Sequence, residues 1–192
     1  MTSAQRPTLP PPDDAWLVVI DPQVVFADPS SDWASPMFDG IVPVVDELVA
    51  HFGERTIVTR WLPGTDHQGS WQAYFTLWSF ADRPDDDPLF DLVPAARAWV
   101  HGDTLDVTTF GKWGQAMVER TGEQHPQLVL VGVSTDCCVI STALAAADAG
   151  ATVTVVEQGC AGSTPENHAA AMQVMGLYAP QIVVVGAEAE AA

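Results

Sequence analysis

Apolar residues fall along this chain in two alternating rhythms. Continuous runs rich in β-branched side chains, beginning with Trp16-Leu17-Val18-Val19-Ile20, read as strands buried on both faces. Between them lie segments whose apolar positions recur three and four residues apart. Ile41, Val44, Val45, Leu48, Val49 and Phe52 line one side of a helix that Gly53 ends. Arg55–Arg60 follows as a second strand, so the chain opens with strand, helix and strand. Leu105–Thr109, Leu128–Val131, Thr152–Val156 and Ile182–Val185 continue the strand series. Helices are expected over Lys112–Thr121 and over Thr135–Gly150, the latter turning Ile140, Ala143, Leu144 and Ala147 inward. A further helix is announced by Ser163-Thr164-Pro165-Glu166, which joins an N-cap to proline in the first turn. This order predicts an α/β fold: a doubly wound, mainly parallel sheet with helices on both faces.

One stretch breaks the alternation. From Leu62 to Pro94, Gly64, Gly69, Pro84 and Pro88 punctuate aromatic patches, and a long excursion enclosing a helix is expected. Residues 1–14, with Pro10, Pro11 and Pro12 ahead of two aspartates, and residues 187–192 lack periodicity and read as disordered or loosely docked tails. They flank a single expected domain over residues 15–186.

Composition narrows the partners. Seven Lys and Arg against 25 Asp and Glu give a net charge of −18, a field that repels phosphate backbones and anionic lipid. Neither nucleic acid nor membrane is an expected partner. No apolar run approaches the roughly 20 residues of a spanning helix, and Met1–Asp14 has no basic-then-apolar leader, so a cytoplasmic protein is expected. Three cysteines, two of them adjacent, fit free thiols better than a disulfide framework. Neither a G-x-G-x-x-G nor a G-x-x-x-x-G-K-[ST] loop occurs, and no cofactor is expected.

In open α/β sheets ligands bind beyond the carboxyl ends of the strands, so residues that follow strands are candidates for chemistry. Asp21 ends the first strand. Lys112, the chain's single lysine among arginines, follows the Leu105–Thr109 strand, and Cys137 and Cys138 follow Leu128–Val131. A thiol in a helix's first turn feels the positive dipole end, and a neighbouring lysine would lower its pKa further. A carboxylate alongside can take the thiol proton and return it to a leaving amine, as acyl transfer through a thioester requires. Bland readings stand beside these: Asp21 as a turn cap, Lys112 as a surface lysine, Cys160 as inert core. Cys137, three residues before Ile140, falls on the apolar helix face, so its thiol is expected against the sheet. Cys138 is displaced around the helix, and phase favours it as the reactive thiol.

Three segments carry a family resemblance. Val19-Ile20-Asp21-Pro22-Gln23-x-x-Phe26, Phe110-Gly111-Lys112 and Gly132-Val133-Ser134-Thr135-Asp136-Cys137-Cys138-Val139 resemble the signatures of the isochorismatase-like cysteine hydrolases, in the same order and at strand ends. The likeness extends over residues 15–186, through Thr142–Gly150 and the helix containing His168. It implies a Rossmann-like three-layer fold with Asp21 as general base and acid, Lys112 as the cation between carboxylate and thiol, and Cys138 as nucleophile. It also implies a cis peptide joining Val133 to Ser134, with the amides of Ser134 and Cys138 as oxyanion donors, and self-association into a homo-oligomer.

Departures refine the expectation. Nicotinamidase-like members place an aspartate and two histidines after strand two, but here Thr59-Arg60-Trp61-Leu62-Pro63 replaces the aspartate and first histidine and only His67 remains. Catalytic zinc usually takes three protein ligands, so no metal is expected. Gln23, Phe26, Arg60 and His67 are candidates for substrate binding: Arg60 for a substrate carboxylate or one of the chain's many acids, His67 for the pocket or a loop cap. Trp61, Trp71, Tyr74, Phe75 and Trp78 either wall a pocket or, as the favoured reading, form core or interface. The expected activity is hydrolysis of a small-molecule C–N bond, amide or carbamoyl, through a Cys138 thioester. The alternatives are isochorismatase-type vinyl ether hydrolysis, which relies on Asp21, and a non-catalytic binding protein on this fold.

Overall fold

In a computed structural model that describes residues 9–186, six strands form one sheet and every neighbouring pair runs parallel. The strands are β1 (Ala15–Ile20), β2 (Thr56–Trp61), β3 (Leu105–Val107), β4 (Gln127–Val133), β5 (Thr152–Ala161) and β6 (Ile182–Val185), in the order β3-β2-β1-β4-β5-β6. The winding direction reverses between β1 and β4. That is the topological switch point, where such sheets open a crevice at their carboxyl ends.

Period two within the strands sorts side chains to two cores. Leu17, Val19, Val129 and Val131 face the layer built by α2 (Phe38–Phe52) and the aromatic excursion. Val18, Ile20, Leu128 and Leu130 face the layer of α4 (Gln115–Thr121), α5 (Ile140–Asp148) and α6 (Pro165–Gly176). Both faces of β1 are dry, which explains its unbroken apolar run. The excursion after β2 contains α3 (Ser70–Leu77) and several single turns, and a short α1 (Val24–Ala27) follows β1.

Where the chain departs from its apolar pattern, a local cause is visible. Strands β4 and β5 run beyond their apolar cores, β5 as far as Ala161, because each pairs with a neighbour along that length. The helix expected from Lys112 begins at Gln115, so Lys112 sits in the loop ahead of it. The helix expected over Thr135–Gly150 is two pieces, a π-helical turn over Thr135–Val139 and then α5. Val139 N donates to Ser134 O at 3.1 Å, closing the wider turn. One added residue in that turn rotates α5 by about 100° relative to an unbroken helix. Thr142, Ala143, Ala146 and Ala147 are therefore buried, and Ile140 and Leu144 are only half-buried.

Thr164 caps α6 as its sequence announced, accepting from Asn167 N at 3.1 Å with Pro165 at the first helical position. Of the two expected tails, residues 1–8 and 187–192 lie outside the described residues. Within 9–14, Leu9 packs on the core and Asp14 N closes a turn onto Pro11 O. No helix among the described residues is long and apolar enough to cross a membrane.

Gly132 is the tightest point of the sheet. Its φ is +113°, and a Cβ there would stand 2.2 Å from Ile20 O on β1. Gly132→Ala is accordingly expected to lose more stability than the roughly 1–3 kcal/mol that backbone strain alone costs. Denaturant unfolding of the variant beside wild type measures it.

Candidate active site

Asp21 follows the last residue of β1 and adopts φ +48°, a left-handed conformation that aspartate tolerates better than most side chains. The bend turns its carboxylate into the crevice at the switch point, fully buried. On β2, Thr59 holds it twice: the hydroxyl donates to Asp21 Oδ1 at 2.7 Å and accepts from Asp21 N at 3.2 Å. Asp21 Oδ2 faces the Lys112 ammonium at 2.8 Å, and both side chains are wholly sealed from solvent.

Lys112 is delivered by the loop after β3. Its Nζ also donates to Thr109 O at 3.0 Å. Its backbone N donates to Thr142 Oγ1 at 3.0 Å, and that hydroxyl donates to Cys138 O at 2.7 Å, so one threonine of α5 ties the lysine loop to the cysteine turn. Gly111 permits the approach, since a Cβ there would lie 3.2 Å from Ser141 O.

Cys138 projects from the π-helical turn into the same crevice, 3% exposed, whereas Cys137 is half-buried. The phase expectation was the reverse, and the wide turn explains the difference: it rotates Cys138 toward the sheet and Cys137 outward. Cys137 and Cys138 both line a cavity of about 300 Å³, together with Ser134. Asp21 and Lys112 lie beneath its wall, and both charges act on the Cys138 thiol.

The two adjacent thiols differ in acidity: the hydrogen bond with Cys138 holds Cys137 below the ordinary thiol range. The Cys137 sulfur, burial and the Asp21 carboxylate together push Cys138 well above the ordinary thiol range, and Lys112 opposes them. The ammonium's charge is already matched by Asp21, so a thiolate would add a second buried anion for one cation. Burial and the matched charges thus favour the neutral thiol at Cys138.

The peptide joining Val133 to Ser134 is cis. At the turn's start, Thr135 Oγ1 and His168 Nδ1 are 2.9 Å apart and both residues are buried, pinning the turn to α6. Burial lowers the His168 pKa and outweighs the carboxylates of Glu157 and Asp136. Burial also pushes the Cys160 thiol up, away from the cavity, as for an inert core cysteine.

The four substrate-binding candidates separate. Phe26 lines the cavity. Gln23 does not: it is fully buried, its amide donating to Trp61 O and Phe90 O and accepting from Trp61 N, which staples the aromatic excursion to β2. Arg60 lies outside the cavity and makes its forked contact with Asp106 on the neighbouring strand, Nε to Oδ1 at 3.0 Å. His67 contacts Asp82 at 2.9 Å and stacks on Phe75, its ring 3.9 Å away, also outside the cavity. Of the aromatic group favoured as core or interface, Trp61 and Phe75 are buried in the core and Trp71 and Tyr74 pack against it, while Trp61, Tyr74 and Trp78 also line the cavity. Sequence reasoning missed Trp33, Asp32, Asp136 and Ser163. Asp136 adjoins the cysteine pair and could have been found there, whereas Asp32 and Trp33 sit in a loop without periodicity.

The isochorismatase domain model matches residues 15–190. The chain belongs to the isochorismatase family. The family's fold recurs in a cysteine hydrolase from Pseudomonas syringae pv. phaseolicola 1448A, at TM-score 0.75, 14% identity and coverage of 96% of this chain and 94% of that one. An isochorismatase family protein from Desulfovibrio vulgaris superposes at TM-score 0.73 with 21% identity over 90% of this chain and 94% of its own. The pyrazinamidase of Pyrococcus horikoshii in complex with zinc does so at 0.68, with 21% identity over 90% and 99%. No curated protein matches this isochorismatase-family chain.

A zinc ion does not fit the residues of this isochorismatase-family chain. The stretch Thr59-Arg60-Trp61-Leu62-Pro63 at the end of β2 offers neither a carboxylate nor an imidazole, and His67 already contacts Asp82. Among the described residues no three His, Cys, Asp or Glu side chains converge.

Gln23→Leu would strand Trp61 N–H and two carbonyls, and a loss on the order of 3 kcal/mol is expected in urea unfolding, larger than for an exposed glutamine. His168, whose neutral form the fold prefers, adds stability that is complete above its unfolded pKa of about 6.5 and is lost as pH falls through its lower folded value. The melting-temperature difference between wild type and His168→Gln should therefore shrink on acidification from pH 7.5.

Proposed function

We propose that this chain hydrolyses a small-molecule C–N bond, amide or carbamoyl, through a thioester on Cys138. The observation that carries the reading is the sealed Asp21–Lys112 ion pair beside a cavity that the buried Cys138 lines.

The charges dictate an order of steps. At rest the cluster holds one anion, Asp21, and one cation, Lys112. As the Cys138 sulfur attacks the substrate carbonyl, its proton passes to Asp21, and Lys112 then faces the sulfur without a competing carboxylate charge. The backbone amides of Ser134 and Cys138 are the proposed donors to the developing oxyanion, since both residues line the cavity. The tetrahedral intermediate collapses as Asp21 gives its proton to the leaving nitrogen, leaving a thioester. Water then attacks the thioester carbonyl, Asp21 takes its proton, and collapse returns that proton to the Cys138 sulfur and releases the acid. One cation thus balances one anion throughout, which keeps charge creation in the buried site small.

Cys138→Ala is expected to abolish amide turnover, and rapid-quench intact-mass spectra of wild type should show an acyl adduct on the Cys138 peptide. Turnover of a vinyl ether that survives Cys138→Ala would overturn the thioester mechanism. Asp21→Asn should lower kcat by about 10²–10⁴ and yet raise the alkylation rate of Cys138 at neutral pH, because Lys112 is then left free to stabilise the thiolate. Parallel loss of both reactivities would mean that Asp21 is only structural.

A further inference from the structure

The cavity wall carries a charge pattern that the proposed reaction does not require. The cavity is also lined by Trp33, Trp61, Tyr74 and Trp78, with Trp33 in ring contact with the other three. Its ring lies 5.5 Å from Trp61 and 5.8 Å from Trp78, at interplanar angles of 73° and 68°, and 5.8 Å from Tyr74 at 40°. Among the described residues the only charged side chains on the wall are Asp136, beside the cysteine pair, and the exposed Asp32.

Asp136 is fixed in place. Its Oδ1 accepts from Ser163 N and its Oδ2 from Ser163 Oγ, each at 2.7 Å, and each oxygen retains a second lone pair. It has no ion-pair partner among the described residues. The described cations are engaged elsewhere: Lys112 with Asp21, Arg60 with Asp106, Arg83 with Asp87, Arg120 with Asp103 O, and Arg55 over the Trp16 ring. Arg97 lines a separate depression. An anionic substrate group entering the cavity would lose hydration and meet two carboxylates with no cation on the wall. A cationic group would meet carboxylates and the electron-rich faces of aromatic rings together.

We infer that the site selects a small amide bearing a positively charged nitrogen group, with the cation seated among Trp33, Tyr74 and Trp78 and balanced by Asp136 and Asp32. The inference rests on the reading of Cys138 as the nucleophile that attacks the amide carbonyl. Under it a dicarboxylate vinyl ether is a poor occupant. The cavity, about 300 Å³, admits a molecule of that size with the cation a few bonds from the carbonyl. The chain's net charge of −18 draws the same class of substrate toward the mouth.

Three probes of nearly equal length separate charge from shape: the amide of trimethylglycine, its uncharged tert-butyl isostere, and the monoanion of succinamic acid. Hydrolysis by wild type gives kcat/KM, and calorimetric titration of Cys138→Ala gives affinity without turnover. The cation should exceed its isostere by about tenfold or more in both readouts, and the succinamate should rank last. Asp136→Asn should narrow the ratio of cation to isostere. Asp32→Asn, at an exposed position with no fixed hydrogen bond, should narrow it in the same direction and serves if loss of the Ser163 contacts unfolds the first variant. Equal affinity for cation and isostere, preference for the succinamate, or binding of none of the three would overturn the inference. Preferential binding of the cation with no hydrolysis of any probe would leave the charge selection standing and overturn the hydrolase reading.

Discussion

A buried ion pair organises this molecule. Asp21 and Lys112 touch at 2.8 Å with neither side chain reaching solvent. Desolvating two charges is costly, and removing either partner of such a pair typically costs about 3–5 kcal/mol because the other is left uncompensated. A fold keeps such a pair only if several elements hold both partners in place. Here Thr59 on β2 supplies the hydrogen bonds to the carboxylate, Thr109 O takes an ammonium proton, and Thr142 on α5 links the lysine loop to the cysteine turn. Gly132 brings β4 against β1, and Gly111 lets the lysine loop approach α5.

The pair also sets the character of the thiol above it. A cysteine beside a lone lysine rests as a thiolate, but a cysteine beside a lysine already matched by a carboxylate does not. In the proposed mechanism the same three groups form a proton relay, in which nucleophile and base exchange one proton while the ammonium stays charged. The π-helical turn matters because it swings Cys138 inward to meet the pair, leaving Cys137 at the cavity edge. His168 on α6 holds that turn through Thr135.

On the other side of the cavity the aromatic excursion does two jobs with neighbouring residues. Phe75, Phe90, Trp99 and Trp61 are buried as core, and Trp61, Tyr74 and Trp78 also line the cavity. Gln23 joins the two by committing its whole amide to the backbone of Trp61 and Phe90. A glutamine two residues from the proposed acid–base group thus acts on the substrate only through the wall it fixes. Arg60 and His67 likewise found partners within the protein, Asp106 and Asp82, as a chain with so many carboxylates favours.

Much of this was legible without coordinates. Period two and period 3.6 suffice for the strands and helices, because burial on one or both faces is written into local spacing, and a parallel sheet places strand-end residues on one rim whatever the loop details. Asp21, Lys112 and Cys138 were therefore visible as a group. Spacing could not reveal the π-helical turn, since one residue's difference in hydrogen-bond register leaves no mark on composition, and the orientation of the two cysteines was misread on that account. Nor could it assign partners to Gln23, Arg60 and His67, or place Trp33, Asp32 and Asp136 in one wall. Those contacts join segments distant in the chain, and whether a polar side chain faces a substrate or a neighbour is decided only when the layers close. The sequence by itself determined the sheet, its order of elements and the chemistry available at its rim. Tertiary packing decided which thiol enters the site, the acidity it has there and the charge of the cavity it faces.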